Sequence, residues 1–202
     1  MKPLRLAVLG IGSVRCAPPI IGALASYFGD QDLEVRLYDE DAERLDLFDR
    51  LARRCFAVEK AKHLLIAVDD VREALEGADM VILAIGENCA RRFLKKHTEK
   101  GKGKKVKVGA SREEVMRAAL DSMMRSVPDG APVLDLTRGT GPRPDTHHLD
   151  WPAELSEIQR QETPFQVLRW IRAEDLLGPL IDAHRRSPIK DWIDASSPNA
   201  HE

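Results

Sequence analysis

Five short apolar runs, separated by segments of helical spacing, constrain the fold of this chain more than any other feature of its sequence. The runs cover residues 4–9, 34–38, 64–68, 79–85 and 132–136. Apolar runs of four to eight residues suit strands buried on both faces, with crossover helices above and below a parallel sheet. Right-handed crossovers make a doubly wound, mostly parallel α/β sheet the expected fold class. Helices are expected over 18–28, 41–62, 69–76 and 111–127. Pro18 and Pro19 suit a first helical turn that needs no backbone donor, and Gly29 would close that helix. Leu45, Phe48, Leu51, Ala52, Cys55 and Phe56 repeat at helical spacing. Gly77 would end the third helix. Ser111 and Glu114, three apart, have the spacing of a capping box.

Two stretches break the rhythm. Residues 95–107, KKHTEKGKGKKVK, are basic and glycine-containing, and are expected to form a loop after the fourth strand. Residues 138–144 are rich in Gly, Pro and Arg and read as a linker. The chain is therefore divided into a sheet domain, 1–138, and a loop and helical extension, 139–202. Helices in the extension are expected over 152–161, 164–171, 173–185 and 189–193. Their apolar positions need cover from the sheet or from a second subunit, which makes a homodimer the expected assembly.

The turn after the first run carries the chemistry. LRLAVLGIGSVRCAPP sets Gly10 and Gly12 directly between a strand and a helix. Gly10 permits the tight turn, and Gly12 lets main chain approach a diphosphate that a β-carbon would obstruct. A helix N-terminus offers amides and a partial positive charge to the phosphates. Ser13 adds a hydroxyl, and Val14 continues the turn. A valine at position 12 is accordingly expected to block the ligand without lowering the melting temperature. Arg15 stands where G-x-G-x-x-G has its third glycine. Asp39 ends the second strand, where an acid accepts the adenosine ribose hydroxyls and repels a 2′-phosphate. The expected ligand is a dinucleotide bound by a Rossmann-like sheet, NAD rather than NADP, with Arg36 and Arg44 blunting that preference. Ile85 and Gly86, at the end of the fourth strand, are expected beside the nicotinamide.

VLGIGSVRCAPPII, VRLYDEDAERLD and REALEGADMVILAIG together resemble the N-terminal NAD-binding domain of the family 4 glycoside hydrolases, which include 6-phospho-glucosidases and α-galactosidases. On this resemblance Gly10, Gly12, Ser13 and Pro18 match the phosphate turn and Asp39 the ribose acid. Ala84, Ile85 and Gly86 match the stretch beside the nicotinamide, and 133–138, VLDLTR, matches the fifth strand and its T-N-P end. The resemblance implies NAD as cofactor and a divalent metal, usually manganese, held by a cysteine and a histidine beyond the fifth strand. It also implies oxidation at the sugar C3, elimination of the leaving group and re-reduction. This chain departs from that pattern. Arg138 replaces the asparagine, no cysteine follows Cys89, and the family's length is about twice as great. The expectation is an NAD-binding protein without glycosidase activity and with no metal site, or a reduced NAD-dependent oxidoreductase. Two alternatives are a non-catalytic NAD-sensing or assembly module and a glycosidase that acts with another chain.

The remaining residues refine this. A net charge of −2 and a lysine run without interleaved aromatics argue against nucleic-acid binding. No apolar run is long enough to span a bilayer, and residues 4–9 are too short for a signal sequence, so a cytoplasmic protein is expected. Cys16, Cys55 and Cys89 lack C-x-x-C spacing and read as free thiols. Cys89 would gain reactivity from Arg91 and Arg92, but no partnered base can be named, so a small residue starting a short helix is the better reading. Asn88, Arg91 and Arg92 are candidates for binding a small anionic or sugar-like substrate. His147 and His148 read as loop residues, and no catalytic residue can be assigned.

Overall fold

A computed structural model describes residues 2–14, 16–27, 32–99, 110–137, 147–148 and 173–185. Its elements run β1 (Leu4–Leu9), α1 (Ala17–Ala25), β2 (Leu33–Tyr38), α2 (Ala42–Glu59), β3 (Leu64–Val68), α3 (Val71–Leu75), β4 (Met80–Leu83), α4 (Glu87–Glu99), α5 (Arg112–Met124), β5 (Val133–Asp135), β6 (His147–His148) and α6 (Ala173–Arg185). The sheet order is β3-β2-β1-β4-β5-β6 and every pairing is parallel. This is the doubly wound Rossmann order, in which the winding reverses between β1 and β4 and opens a crevice at the strand ends.

Successive residues of β1 serve opposite layers, because side chains alternate across a strand. Leu6 and Val8 belong to one core cluster with Ile20, Ile21 and Leu24 of α1, Phe48 and Phe56 of α2, and Leu177 and Leu180 of α6. Ala7 and Leu9 belong to a second cluster, on the other face, with Leu75, Phe93, Leu120 and Met123. Full burial of each such aliphatic side chain stabilises the fold by about 1.5–3 kcal/mol.

Local signals set most helix ends. Asp41 and Asp70 cap α2 and α3, with side chains accepting from the amides of Arg44 and Arg72. Both reciprocal bonds of the Ser111–Glu114 capping box are present at α5. Helix α1 ends at Ala25 with Ser26 as its C-cap, and the expected stop at Gly29 lies outside the described residues.

Two expectations need correction. Residues 95–99 are not loop, because α4 runs on to Glu99. Its buried residues Cys89, Ala90, Phe93 and Leu94 recur at helical spacing and carry the helix through the lysines; 100–109 lie outside the described residues. His147 and His148 form a short strand that extends the sheet beyond β5. In the extension, α6 packs against α1 and β4 of the same chain, while the helices expected over 152–161, 164–171 and 189–193 lie outside the described residues.

Gly10 joins β1 to the end of β4. Its φ is +89°, and a β-carbon there would lie 2.7 Å from Ile85 Cα and 2.8 Å from the Ala84 carbonyl. Gly10→Ala combines left-handed strain with backbone collision. It should lower unfolding free energy by about 2–5 kcal/mol, read from urea denaturation midpoints.

Candidate functional site

The β1–α1 turn is held mainly by its own amides. Gly10 and Ile11 donate to the Tyr38 carbonyl at 2.8 and 3.2 Å, and Ser13 donates to Gly10 O at 3.1 Å. The Gly12 amide donates to Asp39 Oδ2 at 2.8 Å. At the start of α1, the Ala17 amide donates to Ser13 O, and Pro18 and Pro19 carry no N–H. The expectation that this helix presents free amides to a phosphate is therefore corrected: two prolines and one internal bond remove them. Among the described residues from 10 to 19, the amide of exposed Val14 is the one without a partner in the described structure.

Gly12 has a role beyond the expected one. A β-carbon there would meet Asp39 Oδ2 at 2.6 Å. The missing side chain makes room for Asp39, so a valine would displace a buried carboxylate and lower stability as well as access. Asp39 is 5% exposed. Its other oxygen accepts from the Asp41 amide at 2.9 Å. Burial pushes its carboxyl above the ordinary carboxylate pKa, and the amides of Asp41 and Gly12 pull it partly back. A carboxyl raised on folding stabilises the fold below its unfolded pKa, and that contribution disappears as pH rises through the folded value.

Above the turn lies an open crevice of about 320 Å³, lined by Gly12, Ser13, Val14, Asp39, Asp41, Arg44, Gly86, Glu87, Asn88, Cys89, Arg92 and Arg112. Its volume is at the lower end for ligand pockets. A β-carbon on Gly86 would meet nothing within 4 Å, so the backbone there borders open space. Asp41 Oδ2 pairs with Arg92 Nη1 at 2.9 Å and with Arg44 Nε at 3.6 Å. Arg44 Nη1 also donates to Gly12 O at 3.2 Å. Glu87 pairs with Arg91 at 2.7 Å and Arg112 at 3.8 Å. The mouth is thus rimmed by arginines attached to two acids.

The family model for the family 4 glycosyl hydrolases matches residues 5–128, more than half of the chain. The chain belongs to family 4 of the glycosyl hydrolases. Among solved structures it is similar to a 6-phospho-α-glucosidase from gut microorganisms, in complex with NAD and glucose-6-phosphate. There the TM-score is 0.51 and the identity 17%, over 76% of this chain and 41% of that one. The 6-phospho-β-glucosidase of Thermotoga maritima gives a TM-score of 0.49 and 21% identity, over 67% of this chain and 34% of that one. The chain spans less than half the length of either structure. Among curated proteins none matches significantly.

Within this family 4 fold, the expected site residues divide by position. Gly12, Ser13, Val14, Asp39, Arg44, Gly86, Asn88 and Arg92 border one crevice. Gly10 and Ile85 lie beneath it as a backbone contact. Arg91 pairs with Glu87 one turn back along α4 and does not line the crevice. Arg36 is tied to Glu34 and to the carbonyls of Glu73 and Glu76, and it does not line the crevice. Asp41, Glu87 and Arg112 are additions that the sequence does not point to. Asp41 is readable from sequence only as a helix cap, and Arg112 carries no signal because α5 brings it in from a distant part of the chain.

Cys89 stands in the first turn of α4, and its surroundings do not favour the less preferred reading, activation by Arg91 and Arg92. The thiol is buried beside Asp39, and burial first, then the Asp39 charge, push its pKa up. Both nearby arginines are engaged with acids instead. Among the described residues no group of three or more His, Cys, Asp or Glu side chains gathers to hold a metal, and no helix is long and apolar enough to cross a membrane.

The titrating groups can be checked directly. Iodoacetamide at pH 8 should label half-buried Cys55 well before buried Cys16 and Cys89, read by peptide mass mapping; fast labelling of Cys89 would contradict its protonated, enclosed state. Tyr38, like Cys89, is pushed upward by burial. Both groups stabilise the fold below their unfolded pKa values, so urea midpoints should fall as pH rises above about 9.

Proposed function

We propose that this family 4 chain is an NAD-binding unit whose crevice takes the dinucleotide over the β1–α1 turn. The observation that carries the reading is the Gly12–Asp39 bond at the switch point of the sheet. It sets an acid of β2 against the turn, where dinucleotides lie in doubly wound sheets. The NAD held by the similar 6-phospho-α-glucosidase structure supports it.

The residues fit such a ligand in a particular way. Asp39 anchors the turn and borders the adenosine ribose. With the turn amides engaged, the diphosphate is met by the Val14 amide, the Ser13 hydroxyl and the Arg44 guanidinium. Open backbone at Gly86 admits the nicotinamide end. Bound NAD would supply a hydride acceptor. Asn88, on α4, would orient an anionic or sugar-like substrate beside it, and the glucose-6-phosphate held by the similar structure supports that class.

The described residues gather no set of three or more metal-binding side chains, and most of the chain beyond the fifth strand, where the resemblance would put the metal ligands, lies outside them. No acid or base among the crevice residues is positioned as a clear proton carrier: Asp39 and Cys89 are buried, while Asp41 and Glu87 are ion-paired. We therefore assign the chain cofactor binding, and no glycosidase turnover on its own.

Titration of NADH, followed by nicotinamide fluorescence, should saturate. Asp39→Ala should weaken binding by about 1–3 kcal/mol, the scale of a lost charge-assisted hydrogen bond. Absence of NADH binding by the folded wild-type chain would overturn the reading. Release of p-nitrophenol from a 6-phosphoglycoside by the chain alone, with NAD and manganese, would overturn the second part.

A further inference from the structure

Cofactor choice in a doubly wound sheet is ordinarily assigned to the acid that ends β2. Here that acid is poorly placed to decide it. Asp39 is 5% exposed, and its two oxygens accept from the amides of Gly12 and Asp41. Its carboxylate is largely committed to holding the turn.

Two residues further on, the situation is different. Asp41 lines the mouth of the crevice and stands between two arginines on different elements. Arg44 belongs to α2, and Arg92 reaches across from α4. Their side chains are 45% and 56% exposed, against 17% for Asp41. Each guanidinium has five N–H donors in a fork that matches phosphate, and one carboxylate cannot occupy ten donors. A single acid therefore restrains a pair of cations with spare hydrogen-bonding capacity.

We propose that Asp41 sets the phosphate tolerance of this crevice: by holding Arg44 and Arg92 together and adding its own negative charge, it excludes a ribose 2′-phosphate and restricts the ligand to the unphosphorylated dinucleotide. This inference rests on the dinucleotide reading above. Without the carboxylate, two guanidiniums face the crevice free to form charge-assisted bonds to a dianionic group. Arg92 matters most, since its 2.9 Å pair with Asp41 is the shorter of the two and both residues line the crevice.

The test compares NADH and NADPH affinities by calorimetry in the wild type, Asp41→Asn and Asp41→Asn/Arg92→Gln. Asparagine and serine both serve as N-caps, so Asp41→Ser is a second variant that keeps the start of α2. The wild type should prefer NADH. Asp41→Asn should move the NADPH-to-NADH affinity ratio toward NADPH by about tenfold or more, the scale of one charge-assisted contact. The gain should shrink in high salt. The double variant should lose most of it. A wild type that binds both cofactors equally, or a ratio that moves less than about threefold in both folded Asp41 variants, overturns the assignment to Asp41. A gain that survives Arg92→Gln overturns the guanidinium part. Failure of the wild type to bind NADH overturns the dinucleotide reading instead, so the two failures are distinguishable.

Discussion

The bond from the Gly12 amide to the Asp39 carboxylate is the constraint on which the rest of the crevice depends. It ties the turn after β1 to the end of β2, across 27 positions of sequence. The same carboxylate receives the Asp41 amide, so one buried acid also positions the start of α2. Burying a charge is costly unless hydrogen bonds replace water. Two amide donors do that here. Gly12 permits the contact by lacking a β-carbon, and Gly10 permits the backbone of β4 to pass just behind.

This arrangement changes where an anion can be held. The turn amides stabilise the turn, and the prolines of α1 remove further donors. Positive charge reaches the crevice instead on long side chains from α2, α4 and α5. Arg44, Arg92 and Arg112 meet Asp41 and Glu87 at the rim, and the arginine side chains there are about half exposed. Pairs of this kind contribute about 1 kcal/mol or less to stability, so their main effect is to place charge at the crevice rather than to hold the fold. A rigid floor thus carries a rim of paired charges.

Much of this is legible in the sequence, for physical reasons that differ by element. The apolar runs are readable because a strand covered on both faces has no polar side. The Ser111 capping box and the Asp70 cap are readable because they are local hydrogen-bonding patterns. Helix α4 is obscured: Cys89, Ala90, Phe93 and Leu94 do mark a buried face, but the lysines that follow have the look of a loop. Arg91 and Arg92 look equivalent as neighbours. On a helix they point about 100° apart, and burial of Phe93 fixes which one faces the crevice. The prolines at 18 and 19 are plainly compatible with a helix start, yet their effect on phosphate recognition emerges only once the remaining amides are traced to partners.

The sequence by itself determined the strand–helix rhythm, the glycine turn, the acid at the end of β2 and the family pattern carried by its motifs. All of these rest on neighbouring residues and on short-range backbone geometry. Tertiary structure alone decided that Gly12 makes room for Asp39, that Arg92 reaches Asp41, that Arg36 turns away and that Cys89 is enclosed. Those outcomes depend on how parallel crossovers and helix packing bring distant side chains within a few ångströms, and residue spacing along a chain carries no record of that approach.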